Sequence, residues 1–367
     1  MMVAVRNMLL VIVIAAVCMG WACAEPVTSV QAESFGAEEL EEAVPSDVKR
    51  LLKNVSPTTV NDVLVGLQDI LRGIADDTVG LIYKNIIFSG RLFLSLMVCQ
   101  LVGIFSGTLG KNVANYAGAL SVCVLCLDKL QSMISTQTGA LGQMMDFMLV
   151  LNPVMTAASA ASGAVSGAGV NYALTVFFSN LILKISNYLI IPIVYAYLTL
   201  AFADSFLQQE RLKRLRELIG WVTELLLKFV VYAFTGCLSV GGVLTGASDA
   251  GRLKAMKMTI SGMIPVVGGI VSGAAETVLT GAAVLKTAIG SFGMLVVFAI
   301  FLLPFLELSA SWICVRVTAA LTGLLTSSLA SLLESVSKAM GYLVALMGSS
   351  ALICVLSCCC YIKVVHI

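Results

Sequence analysis

The chain has 367 residues, 59% hydrophobic and 12% charged, against roughly 25% charged in an ordinary soluble domain. A mean hydropathy of +0.99 is more apolar surface than a soluble core can hide, so the chain belongs in a bilayer. The formal net charge of +1 conceals an asymmetry: residues 25–84 hold eleven acidic and five basic groups, residues 85–367 ten acidic and sixteen basic.

In chain order, Arg6, the apolar run Met8–Met19 and Ala22-Cys23-Ala24 before Glu25 form a signal-peptide pattern, with cleavage expected after Ala24. An uncleaved first anchor is the alternative. Either way residues 25–84 are expected outside the cytoplasm. Residues 25–45, with Glu33, Glu38, Glu39, Glu41 and Glu42, read as a polar, mobile stretch. Ser46 before Asp47-Val48-Lys49-Arg50-Leu51-Leu52 reads as a capped helix start. From Val60, the spacing of Val63, Leu64, Leu67, Ile70, Leu71 and Ile74 predicts an amphipathic helix. Its apolar stripe lies on a membrane surface or on a partner.

Five apolar runs follow, each near the roughly 20 residues that a bilayer requires. They are 86–109, 113–127, 172–203, 225–244 and 289–306, and a sixth, 342–362, closes the chain. Two segments rich in Gly, Ala and Ser, 153–170 and 265–284, read as re-entrant elements or as small-residue helices packed inside a bundle. The expected fold is therefore all-α: a polytopic helical membrane protein divided as 1–24, 25–84 and 85–367.

A shift of 112 residues lays Pro153 on Pro265 and Pro192 on Pro304 without a gap, and Gly169 on Gly281. This reads as an internal duplication, which is common in transporter folds. The basic cluster Arg211, Lys213, Arg214 and Arg216 is expected in the cytoplasm by the positive-inside rule, with Lys111 and Arg316 on the same side. Arg252, Lys254 and Lys257 then fall on the wrong side.

Chemistry is sparse. With one histidine, His366, there is no HExxH zinc site and no His-based triad inside the fold. Gly110-Lys111-Asn112 lacks the upstream glycine and the hydroxyl of a phosphate loop. Cys123 and Cys126 share a helix face and read as small apolar side chains. Cys358-Cys359-Cys360 read as packing, with acylation as the alternative. No catalytic residue, metal, cofactor or nucleic-acid partner is expected.

Charges within apolar runs are costly, so Lys184, Glu224, Lys228, Glu276, Lys286 and Glu307 are the candidates for function. Glu224 and Lys228 stand four apart and can neutralise each other. Glu276 follows Pro265, Gly268, Gly269 and Gly273, where backbones approach closely and polar groups can line a cavity. Lys286 is ten residues on, roughly on the same side of a continuing helix. The hinge candidates are Pro153, Pro265, Gly268, Gly269, Pro192 and Pro304.

The run Met263-Ile264-Pro265-Val266-Val267-Gly268-Gly269-Ile270-Val271-Ser272, followed by Glu276-Thr277-Val278-Leu279, resembles the stage III sporulation protein AE family of endospore-forming bacteria. The resemblance covers the whole membrane part. It implies a multi-pass protein of the mother-cell membrane around the forespore. It also implies membership of a secretion-like channel complex needed for forespore development, with other stage III proteins, membrane lipid and further copies of itself as partners. The residues alone favour a second reading, a secondary transporter for a small solute.

Overall fold

The computed structural model describes residues 37–52, 63–105, 107–162, 165–207, 210–263 and 268–363; the side chains of 238–283 are not among those described. The signal-peptide reading of residues 1–24, and Pro265, lie outside the described residues. Those described form helices and turns. They are α1 (Ala37–Glu42), α2 (Ser46–Leu51), α3 (Val63–Phe105), α4 (Gly107–Ala161), α5 (Val165–Ile185), α6 (Ile191–Leu207), α7 (Glu210–Met263), α8 (Gly268–Gly323) and α9 (Ser327–Lys363).

At 1.5 Å per residue, helices of 55 and 56 residues such as α4 and α8 run about 80 Å, well over the ~30 Å hydrocarbon core of a bilayer. Pro153 and Pro304 both sit inside helices. Between α5 and α6 the chain makes a π-helical segment, Ser186–Ile190, in which the Ile191 N–H donates to the Ser186 carbonyl. Its cause stands next to it. Pro192 has no N–H and its ring crowds the carbonyl four residues back, and a widened turn relieves both. The chain keeps its helical path through Ser186-Asn187 and only loosens it.

Side-chain contacts fix how the helices run past one another. Gln100 Nε2 donates to Asn115 Oδ1 at 2.9 Å, so α3 and α4 form an antiparallel hairpin. Tyr116 meets Phe206 with ring centroids 5.9 Å apart, and a Cβ added at Gly118 would lie 2.9 Å from Leu329. The turns after α3, α6 and α8 therefore share one end of the bundle. Toward the other end, a Cβ at Gly293 would lie 2.7 Å from Leu151, and Cys359 Sγ sits 3.7 Å from Met294 Sδ. Residues 118–151 of α4 thus run alongside 329–359 of α9.

The α8–α9 hairpin is the core. It supplies most of the largest buried run, from Leu285 through Phe305 and from Leu329 through Cys359, and α3 to α7 pack around it. Two expectations for the N-terminal part change. The stripe of α3 packs on this chain itself: Ile70 and Ile74 are buried in the common core, and Leu67 packs against it. Leu40 and Val44 are buried there too, so 37–45 is a docked amphipathic element rather than a loose polar one. Ser46 is the first helical residue and Pro45 the cap, with no side-chain cap bond. Proline offers no side-chain acceptor; its carbonyl accepts from the Val48 and Lys49 N–H groups at 3.0 and 2.9 Å.

The 153–170 segment contributes the end of α4, a turn at Ser162 and the opening of α5. Gly268 opens α8, which continues unbroken to Gly323, so Gly269 and Glu276 lie on the same helix as Lys286 and Pro304.

Candidate functional site

The polar groups placed by the fold form three sets. The first lies at the turn between α6 and α7. Arg216 Nη1 stands 3.2 Å from Asp204 Oδ2, with both side chains mostly buried. Arg211, Lys213 and Arg214 of the same basic cluster are exposed. A guanidinium held by a carboxylate at a helix–helix turn fixes the angle between α6 and α7 while its neighbours face outward.

The second set joins α7 to α9. Glu224 lies 3.8 Å from Lys228 on its own helix and 3.9 Å from Lys338 on α9. All three are partly exposed. Lys338 was not singled out in the sequence, although a signal was there: Glu224/Lys228/Tyr232 and Glu334/Lys338/Tyr342 repeat one Glu-x-x-x-Lys-x-x-x-Tyr pattern. Tyr342 packs edge-on against Tyr197 with centroids 5.8 Å apart, and a Cβ at Gly220 would sit 2.6 Å from Tyr342 Oη. Only glycine leaves that phenol its place.

The third set is buried. Lys286 is 1% exposed, and its Nζ has no hydrogen-bond partner among the described residues. Thr175 Oγ1 and Ser357 Oγ hydrogen-bond across α5 and α9, and Ser311 Oγ lies 2.9 Å from Asn85 Oδ1 across α8 and α3. Such pairs satisfy hydroxyl and amide groups that lipid cannot.

The remaining candidates separate. Lys184 is exposed next to the π segment, Glu307 is half-buried on α8, and Pro153 and Pro192 are exposed while Pro304 is half-buried. The side chains of Glu276 and of the segment around Gly268 and Gly269 lie outside those described. Among the described residues, the structure therefore brings Glu224 and Lys228 together and does not gather the other candidates with them.

One helix face stands apart. On α4, Asp128, Gln131, Ser132, Ser135, Gly139, Gln143 and Asp146 are exposed, while Leu130, Met133, Leu141, Met144 and Phe147 are buried. This is the polarity of a soluble amphipathic helix.

Among the described residues, six helices are long and apolar enough to cross a membrane: 66–105, 113–161, 172–207, 211–237, 284–323 and 327–359. The fold is therefore that of a polytopic helical membrane protein. The profile of the stage III sporulation protein AE family matches residues 46–364, and the chain belongs to that family. Stage III sporulation protein AE of Bacillus subtilis (strain 168) is 24% identical over 273 residues, covering 73% of this chain and 68% of the relative. No solved structure matches the chain. The protein is thus a membrane protein with a role in sporulation.

Proposed function

We propose that the protein is a structural component of a multi-protein channel complex in the mother-cell membrane around the forespore, with residues 25–84 on the side facing the forespore. Family membership across 46–364 is the observation that carries this reading. The bundle supports it. Its ion pairs tie one helix to the next, and its core is a packed hairpin, as suits a scaffold held in one shape. The common end of the turns after α3, α6 and α8 carries Arg211, Lys213, Arg214 and Arg316, which the positive-inside rule assigns to the cytoplasm.

Affinity purification of this chain from sporulating cells tests the reading. Other sporulation membrane proteins should co-purify. Purified protein that moves a solute into liposomes without any partner would replace this reading by the transporter one. The Glu-Lys-Tyr pattern on α7 and α9 recurs after 110 residues, out of register with the 112-residue shift of the prolines, so it adds nothing to the duplication on which the transporter reading draws. Glu276 belongs to the same proposal. Glu276→Ala and Glu276→Gln, scored for spore formation at equal membrane abundance, should both fail if its charge is required.

A further inference from the structure

The outward face of α4 has the wrong polarity for its position. Leu151 of α4 packs at Gly293, whose helix neighbour Met294 touches Cys359, and Gly118 meets Leu329. The stretch between, which includes 128–146, therefore runs alongside α9 from the level of Lys338 into the apolar run that opens at Tyr342. At the same level α5 and α7 turn large apolar side chains outward: Phe177 is 60% exposed, Phe229 64% and Tyr232 59%. Phe178 beside Phe177 meets Phe234 of α7, and Thr175 meets Ser357, which fixes that level independently. That side is mainly apolar, with Asn180 and Lys184 of α5 as its exposed polar residues. The α4 side, at the same depth, shows Gln131, Ser132, Ser135, Gly139, Gln143 and Asp146.

Lipid cannot hydrogen-bond two glutamine amides, two hydroxyls and a carboxylate, and each group left unsatisfied in hydrocarbon costs several kcal/mol. A dry helix–helix seam satisfies small residues and single hydroxyls well. It suits Asp146 and Gln143, one turn apart and both exposed, poorly, because a buried carboxylate needs a cation. Water satisfies all of them. We propose that this face of α4 lines a water-filled space at bilayer depth, enclosed on its other sides by neighbouring subunits of the complex. The inference rests on the channel reading and names the surface of this chain that meets the conduit.

The test uses the full chain in membranes from which its partners co-purify. Single cysteines are placed at Ser132, Ser135, Gly139 and Gln143, and for comparison at Phe177, Phe229 and Tyr232. A charged, membrane-impermeant methanethiosulfonate is then applied, with the unsubstituted chain and its eleven cysteines as background. Thiolate forms only where water reaches, so the α4 positions should react about tenfold or more faster than the comparison set. Equal, slow reaction at both sets overturns the proposal, because the stripe is then covered by lipid or by a dry interface. Equal, fast reaction at both sets also overturns it, because that level then lies outside the bilayer. A second variant, Ser135→Leu with Gln143→Leu, guards against cysteine effects: spore formation should be lost at normal membrane abundance. Spores formed as usual would count against a water-lined face. Failure to co-purify partners sinks the channel reading instead, and the two outcomes are read separately.

Discussion

The α8–α9 hairpin and the α3 helix are both long, apolar and continuous, yet they are used in opposite ways. In the apolar window of α9, 94% is buried inside the chain; in that of α3, 22% is. Hydropathy does not separate them strongly, at 2.1 and 1.8. What differs is the distribution of small polar residues. α9 carries Ser335, Ser337, Ser349, Ser350 and Ser357, all buried, and Ser349 and Ser350 bond to carbonyls one turn back in their own helix. A hydroxyl tied to its own helix adds little bulk and lets a neighbouring helix approach closely. α3 instead turns Leu94, Val98, Leu101, Val102 and Phe105 outward. Leucine does not distinguish the two helices, with seven in the 37 residues of α9 and eight in the 43 of α3; serine does, with eight against two.

The comparison breaks most readily at the hairpin. Phe292 is fully buried, and truncating a buried aromatic costs about 3–5 kcal/mol. Phe292→Ala should sharply lower the melting temperature in detergent and the amount of protein in the membrane. Phe105→Ala, at 86% exposure, should change neither. Equal losses would mean that a partner covers the α3 tip as closely as α8 is covered within the chain.

Next in size is the contact of α8 with α4. Gly293→Val puts two methyl groups where Leu151 already stands, and overpacking of this kind typically costs 1–3 kcal/mol. Leu151→Ala in the same chain should recover part of the loss, since the obstructing atoms belong to that side chain. A melting temperature unmoved by Gly293→Val would show that α4 and α8 are not in contact at this level. For the turn between α6 and α7, Asp204→Asn leaves Arg216 without its carboxylate in a mostly buried setting. Removing one partner of a fully buried pair costs about 3–5 kcal/mol, and partial exposure here lowers that to about 1–3. The double variant Asp204→Asn with Arg216→Met should regain stability in the same thermal assay.

The helical class, the six spans and the pairing of Glu224 with Lys228 were legible in the sequence, because length, hydropathy and a spacing of four are local properties. The placement of the 63–74 stripe was not. An apolar face reads the same whether it covers lipid, a partner or its own bundle, and only the packing of Ile70 and Ile74 into the common core decides. The 128–146 stretch was passed over for the same reason. It follows an apolar run and looks like a loop, but its buried methionines continue the helix through it. Lys338 escaped notice because it stands just before the apolar run that opens at Tyr342, and its partner Glu224 is more than a hundred residues away.

The smallest expected effect is at Glu224. Its carboxylate has lysines at 3.8 and 3.9 Å, but all three side chains are between 37% and 45% exposed. In water such pairs contribute about 0.2–1 kcal/mol, since desolvation is slight and ordering two long side chains opposes the attraction. Glu224→Gln should therefore lower the melting temperature little, and Lys338→Met should do the same. If Glu224 is a surface tie at headgroup depth, the two losses should add in the double variant, or nearly so. If partners of the complex cover this corner of α7 and α9, burying the triad, the coupling between the two substitutions should grow well beyond a surface pair in the assembled complex and stay small in the isolated chain. A double-mutant cycle measured in both states separates these outcomes. A large coupling in the isolated chain would show instead that Glu224 belongs with the buried hairpin rather than with the rim.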